Sequence, residues 1–421
     1  MNIDGFSPAT LALLPRNVVS ALRSDMSPLK VLLVHNYYQQ PGGEDRIFEA
    51  EGSLLESYGH PVIRYVARNE AFAGLRQAGV GLAAFWNTRV YLELERLIRA
   101  ERPDVVHFHN TFPLISPAAY YACQALNVPV VQTLHNYRLV CPVAVLFREG
   151  RVCEECLGRS LAWPGILHGC YRNSRLATAV IAGMVAYHRS RGTWSRSVDR
   201  YIAYSHFAMT KFVEGGIPRE RLAFKTNFVA PDPGFVPGGG DYALFVGRLA
   251  PEKGIHALLH AWRHLAGIPL RIVGDGPLGA EVQHFVADHF GSGVELVGRV
   301  DGPRVVDLIR GARFLIVPSL WPETFCRVVI EAFACGVPVL AARIGALAEL
   351  VDPRENGFHF APGDTEDMAR VAERAWTHPK ETAELARGAR RTYLENYTAE
   401  ANYPVLMRIY HEVLSYRGHT E

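Results

Sequence analysis

No run of about 18 apolar residues interrupts this 421-residue chain, so a membrane-spanning helix is not expected. The first 26 residues also lack a basic start followed by a long apolar core, which argues against a secretory signal and for a cytoplasmic, reducing setting. Charge of neither sign is in excess: 44 Lys+Arg against 42 Asp+Glu leave a net of +2 at pH 7. Aromatic and basic residues are not interleaved, so nucleic acid is not expected as a partner. Internal repeats and low-complexity tracts are missing, which excludes solenoids and arrays. Cysteine is scarce, with seven residues in all, yet four of them crowd into positions 141 to 170.

What remains is an ordinary globular composition, 49% hydrophobic and 20% charged, on a chain long enough for two cores. Apolar runs at 30–36, 61–66, 104–109, 129–134 and 199–204 read as strands, separated by helical patterns such as 88–100. A second series begins at Tyr242–Val246 and includes 314–318 and 337–340. Strands alternating with helices imply an α/β fold of parallel, doubly wound sheets, whose ligands lie beyond the carboxyl ends of the strands. Prolines 231, 233 and 237 and glycines 238–240 mark a boundary within 227–241. The expected organisation is a poorly ordered leader at 1–28, a first domain at 29–235 with an insert at 138–174, a second at 240–396, and a terminal helix at 397–421.

Four motifs fall at strand ends of the second domain. Gly247-Arg248 leads to Lys253-Gly254; Gly274-Asp275-Gly276-Pro277 and Gly298-Arg299-Val300 follow; Pro322-Glu323-Thr324-Phe325 precedes Glu331 by a Glu-x7-Glu spacing. An arginine that can fork onto phosphate oxygens and a lysine point charge form a frequent diphosphate pair. The run 324–335 reads as a helix, whose start favours an anion. Two carboxylates at most about 12 Å apart along its axis would repel phosphate but accept hydrogen bonds from hydroxyls. The combination suits a diphosphate flanked by two hydroxyl-rich rings, a nucleotide-sugar. In the first domain, Gly42-Gly43 lies at the end of the first strand, and Thr133-x-His135 at another. His107 and His109 read as structural histidines, and a Pro-Gly-Gly-Glu-Asp turn lacks the Gly-x-Gly-x-x-Gly spacing of a dehydrogenase.

Over residues 240 to 400 the chain resembles the donor domain of retaining glycosyltransferases of family 4, the glycosyl transferases group 1 type. The resemblance implies the GT-B fold, two Rossmann-like domains facing a central cleft, with the last helix crossing back to the first domain. It implies a hexosyltransferase using a UDP- or GDP-sugar, acting on a saccharide or lipid-linked saccharide in bacterial polysaccharide or glycolipid biosynthesis. By the same resemblance Arg248 and Lys253 bind the diphosphate, Glu323 contacts the transferred sugar, Glu331 holds the ribose, Arg299 lies near the base, and His135 stands beside the reacting sugar. Gly42, Gly43, Gly247, Gly274, Asp275, Thr324, Phe325 and Cys326 complete the expected donor site. Cys326 departs from the glycine usual after Glu-x-Phe. No Asp-x-Asp motif is present, so chemistry without a divalent cation or other cofactor is expected. A catalytically silent nucleotide-sugar binder and a nucleotide-sugar epimerase stay open as alternatives.

Residues 138 to 200 hold 10 Lys+Arg against 4 Asp+Glu, and Arg172, Arg175, Arg189, Arg191 and Arg196 could form a patch for anionic membrane or a solvated helix face. The same stretch contains Cys141, Cys153, Cys156 and Cys170, spaced C-x11-C-x2-C-x13-C, with His168 nearby. A structural zinc site, free thiols and disulfides all fit that spacing.

Overall fold

The computed structural model describes residues 27–38, 42–68, 81, 83–235, 239–291 and 293–418. The expected leader therefore lies outside the described residues up to position 26. Within them, the first sheet contains β1 (Val31–Tyr37), β2 (Val62–Arg68), β3 (Val105–Asn110) and β4 (Val130–Thr133). An excursion follows, carrying the antiparallel hairpin β5 (Phe147–Arg148) and β6 (Arg151–Val152), before β7 (Arg200–Ala203) and β8 (Leu222–Phe224) rejoin the sheet. The order is β2-β1-β3-β4-β7-β8, and every pairing is parallel. β3 and β4 are buried along their whole length, which is why they appear in the sequence as unbroken runs rather than alternating ones.

The second sheet repeats the plan with β9 (Tyr242–Val246), β10 (Leu270–Val273), β11 (Val294–Gly298), β12 (Ala312–Val317), β13 (Val339–Ala342) and β14 (Gly357–Phe360). Its order is β11-β10-β9-β12-β13-β14, again wholly parallel. In each sheet the winding direction reverses next to its first strand, between β1 and β3 and between β9 and β12. The connections leave opposite faces there and open a crevice at the carboxyl ends. The two crevices receive the Gly42 turn and His109 on one side, Arg248 and Glu323 on the other.

The helix Ala399–Gly418 returns to the first sheet, as the terminal segment was expected to do. It buries Leu406, Met407, Ile409, Tyr410 and Val413 in one cluster with Val31 and Leu33. The Tyr410 hydroxyl lies 2.8 Å from His107 Nδ1, and Tyr403 stacks on Tyr58 with ring centroids 3.6 Å apart.

Two turns position the motif residues ahead of their helices. Pro251–Lys253 forms a 3-10 turn, and the helix that follows is Ile255–Trp262. Gly254 separates them at φ +74, where a Cβ would meet the Pro318 carbonyl oxygen at 1.9 Å. The helix expected from Thr324 begins at Arg327, with Cys326 at its N-cap. Residues 322–326 are held out of the helix by neighbours: Gly345 backs so closely onto Pro322 that a Cβ there would lie 2.6 Å from the Pro322 Cα. Glu323 is thus upstream of the helix, not in its first turn.

Gly274 has φ +140, and a Cβ there would sit 1.8 Å from the carbonyl oxygen of Gly247. Both strain and overlap oppose a side chain, so Gly274→Ala should destabilise the protein by well over ~1 kcal/mol. Chemical denaturation measures this, and an unchanged midpoint would show that the β9 and β10 ends can separate freely.

Candidate active site

Three of the four sequence motifs are laced together by backbone hydrogen bonds beyond the sheet. Gly247 donates to Val273 (3.0 Å), Gly274 to Gly298 (2.9 Å), and Leu249 to the carbonyl of Asp275 (3.0 Å). The lacing turns Arg248 and Arg299 outward, and both are exposed. Among the described residues neither takes part in an ion pair. The Asp275 carboxylate is engaged locally, accepting from the Gly276 amide at 2.7 Å.

Lys253 and Glu323, 70 positions apart, meet at 2.9 Å. Ser319, also buried, donates its hydroxyl to the same Glu323 oxygen at 2.5 Å. The Lys253 ammonium lies 5.3 Å from the centroid of the Trp321 ring. Burial disfavours its charge, but Glu323 foremost, with help from Cys326 and Glu252, outweighs that and holds Lys253 above the ordinary lysine range. Lys253 is therefore a fixed cation at neutral pH.

Thr324 joins the two domains. Its hydroxyl donates to the carbonyl of His135 at 2.7 Å, and its own carbonyl accepts from the Ser205 hydroxyl at 3.1 Å. Phe325 packs near Tyr204, with centroids 5.5 Å apart. Cys326 is buried, and burial lifts its thiol far above its usual range. Further along the second domain, Glu349 accepts hydrogen bonds from the amides of His206 and Phe207, capping a first-domain helix from the second domain.

Glu331 sits 3.1 Å from Arg327 Nε, its side chain 12% exposed. Burial raises its carboxyl, opposed by Arg327 and by Arg46, which reaches over from the first domain. Arg327 was not singled out from the sequence. Burial lowers its guanidinium, and its Nε and Nη1 are buried without hydrogen-bond partners among the described residues. At 3.1 Å the Glu331 contact is close but not aligned as a hydrogen bond. A buried guanidinium with donors to spare at a helix start is ready for an anion.

On the first-domain side, His135 Nε2 lies 3.2 Å from His109 Nδ1. His109 Nε2 stands 3.5 Å from Glu51, which faces Lys225 at 3.3 Å. Burial, reinforced by His35 and His107, holds His135 well below the ordinary histidine range. It is a neutral imidazole at pH 7. Gly42 precedes the helix Gly43–Ser57 and donates to Asp45 at 2.8 Å. Neither Gly42 nor Gly43 would bring a Cβ within 4 Å of other atoms, so they border open space. Asn136 donates to Glu44 at 2.8 Å, a contact the sequence did not suggest.

Glu51, His107 and His109 bring three ligand-type atoms within 4.8 Å of one another. Both nitrogens of His107 are already taken, by Tyr410 and Thr133 at 2.8 Å each, and Glu51 faces an ammonium. The cluster is a buried charge network, not a vacant metal centre. Elsewhere, Cys141, Cys153, Cys156 and Cys170 line a single cavity, and His168 borders it. Of the arginines expected in a surface patch, Arg189 turns inward and donates to the carbonyls of Leu139, Gly215 and Arg159. Engaged in this way, its guanidinium is not free for an external anion.

Comparison with known proteins agrees with this geometry. The family description "Glycosyl transferases group 1" matches residues 231–392, and "Glycosyltransferase Family 4" matches 78–232. The chain belongs to the group 1, family 4 glycosyltransferases and has the GT-B fold. An uncharacterised glycosyltransferase of Methanocaldococcus jannaschii is 36% identical over 131 residues, 31% of this chain and 37% of that protein. A D-inositol 3-phosphate glycosyltransferase of Rhodococcus erythropolis is 35% identical over 314 residues, 72% of this chain and 66% of its own length. Among solved structures, Anabaena HepE in complex with UDP-glucose superposes with a TM-score of 0.64 at 18% identity, covering 90% of this chain and 99% of HepE.

The buried histidines make stability depend on pH. Burial pushes His107 down to about 4 in the fold, whereas an unfolded chain protonates histidine near 6.5. Its contribution is complete above about 6.5 and is lost as pH falls towards 4, by up to about 1.4 kcal/mol per pH unit. His107→Gln should flatten the acid limb of the stability profile measured by denaturant titration between pH 7.5 and 4.5. A limb of unchanged slope would assign the acid sensitivity to other groups.

Proposed function

We propose that this chain transfers a hexose from a UDP- or GDP-sugar to a hydroxyl of a saccharide or lipid-linked saccharide, with retention of configuration. The observation that carries this reading is the Lys253–Glu323 contact, placed at the winding reversal of the second sheet and tied through Thr324 to His135 across the cleft. A fixed cation and a carboxylate side by side suit a diphosphate and the sugar it carries. Arg248, Lys253 and the unpartnered donors of Arg327 take the diphosphate, Glu323 the sugar hydroxyls, Glu331 the ribose, and Arg299 the vicinity of the base. The space beside Gly42 and Gly43 leaves room for the same ligand. That HepE is solved with UDP-glucose supports a nucleotide-sugar donor.

In the proposed reaction the acceptor oxygen attacks the anomeric carbon on the face from which the diphosphate departs. The bond from that carbon to the phosphate oxygen breaks, a glycosidic C–O bond forms, and the acceptor proton passes to the leaving diphosphate. Charge grows on the leaving group, where Lys253, Arg248 and the helix start at Arg327 stabilise it without a divalent cation or other cofactor. Neutral His135 lines the sugar side and adds no competing positive charge.

A biosynthetic role in bacterial polysaccharide or glycolipid assembly at the cytoplasmic face of a membrane fits the surface of the insert. None of the helices among the described residues is long and apolar enough to cross a membrane. Trp163, Leu167 and Leu176 are nevertheless 51%, 53% and 79% exposed. Arg159 lies over the Trp163 ring, and Arg175 donates to the Leu167 carbonyl. Exposed apolar groups with flanking arginines suit an anionic lipid surface. Cosedimentation should favour anionic over zwitterionic vesicles, and equal recovery with both would remove membrane contact from the proposal.

A panel of nucleotide-sugars assayed by hydrolysis and transfer tests the activity itself. Lys253→Ala should lower turnover at least ~10²-fold, the scale of losing one preorganised charge stabiliser. Glu331→Ala should instead weaken donor affinity more than the chemical step, since ribose is remote from the breaking bond. Near-normal turnover in the first variant would move the diphosphate site elsewhere.

A further inference from the structure

Between β4 and the long helix Arg175–Ser190, residues 138–174 carry only strands of two residues and a helix, Trp163–His168, of six. Elements that short bury too little apolar surface to hold themselves and usually need a staple. Four thiols converge there from separate turns. Cys141 closes a turn by donating its amide to Tyr137 at 2.8 Å; Cys153 leaves the hairpin with its amide on Leu146 at 2.9 Å. Cys156 precedes Gly158, which turns the chain at φ +73. Cys170 follows the short helix with its amide on Gly165 at 3.1 Å, and a Cβ on Gly165 would lie 3.3 Å from the Cys156 sulfur. All four cysteines are free thiols, and all four line one cavity.

We propose that Cys141, Cys153, Cys156 and Cys170 bind one structural zinc ion. Thiolates are the soft donors zinc favours, and four of them fill its tetrahedron, leaving no position for a substrate. In a closed tetrathiolate the sulfurs stand about 3.8 Å apart. Among the described residues no three cysteine sulfurs lie within 4.8 Å of one another, so the thiols draw together on the ion. A tetrathiolate of a divalent ion carries a net charge of −2, and a counter-charge is at hand. Arg148 lines the same cavity; its Nη1 and Nη2 are paired with Glu149 at 2.8 Å and Glu155 at 2.6 Å, while its Nε is buried without a partner among the described residues. A guanidinium so placed can donate to a metal-bound sulfur. His168 is spoken for, 3.3 Å from Arg148 Nη1 and 3.5 Å from Glu155, which leaves the four sulfurs as the ligand set.

The ion would clip the loop that follows the functional strand end. Cys141 hangs on Tyr137, two residues after His135, whose carbonyl receives the Thr324 hydroxyl. Resting on the transferase reading, loss of the ion should impair transfer to acceptor before donor hydrolysis, because the donor motifs lie in the other domain.

Metal analysis of the full chain purified without chelator should find one zinc per chain. A mercurial titration should release it in step with modification of four thiols, and cobalt exchanged into the site should give sulfur-to-cobalt charge-transfer bands. Cys153→Ser and Cys156→Ser should lose the metal, while Cys123→Ser, whose thiol sits elsewhere in the first core, should keep it. If the serine variants do not fold, release from the unaltered chain decides. A metal-free protein whose four thiols react freely, or are paired in disulfides, overturns the proposal. Zinc retained in Cys153→Ser, or lost in His168→Ala, overturns this ligand set. None of these readouts uses a sugar donor, so they succeed or fail independently of the transferase reading.

Discussion

The hydrogen-bonded bridge at Thr324 fixes how the two sheets present their crevices to each other. One residue donates across the cleft to the His135 carbonyl and accepts from Ser205, so a single turn of chain is held by both domains. Each bond contributes only about 0.5–1.5 kcal/mol net, but removing one partner would strand a buried polar group at greater cost. The bridge also dictates local structure. Because Thr324 is committed across the cleft and Gly345 backs onto Pro322, residues 322–326 stay outside the helix, which begins at Arg327. Glu323 is thereby freed from helical geometry to meet Lys253 and Ser319, and the helix start is presented to the cleft with Arg327 as its first residue.

This explains which parts could be read from the sequence. The parallel strands were legible because strands buried on both faces leave continuous apolar runs, and the crevice residues followed because ligands gather where winding reverses. Glu323, Glu331, Arg248 and Lys253 were singled out by spacing and resemblance, and the fold brings Lys253 and Glu323 into contact. The helix start was misplaced because Thr324-Phe325-Cys326 has no local feature that forbids a helix; what holds it out are neighbours remote in sequence, Gly345 and a partner 189 positions away. Arg327 and Arg46 escaped notice for a related reason. Arg46 belongs to a first-domain helix and becomes relevant to Glu331 only after the domains face each other. Arg189 looked like one more exposed charge in a basic stretch, and only the fold shows that three carbonyls consume it.

The cysteines are a middle case. Their spacing suggested zinc, and a reducing setting disfavoured disulfides, but the linear pattern alone left free thiols open. Convergence on one cavity, with a buried arginine nitrogen lacking a partner beside it, is information of a different kind. It arises from the hairpin, Gly158 and the short helix, each too weak a signal alone to predict how the chain returns on itself.

Charge is divided unequally between the two walls of the cleft, and the division follows from burial. The first-domain wall is rich in histidine, but His107, His109 and His135 are all held neutral because desolvation disfavours their cations. The second-domain wall carries cations that persist: Lys253 is kept charged by Glu323, and Arg248 and Arg299 are exposed. A diphosphate entering between the walls would find Lys253, Arg248 and Arg299 on the second-domain wall, with Arg46 of the first domain beside Glu331, and neutral histidines opposite. An acceptor hydroxyl meeting the sugar along that neutral wall need not compete with the diphosphate for the same cations. In the proposed reaction, that asymmetry would separate the donor's diphosphate from the acceptor by charge before any single contact distinguishes them.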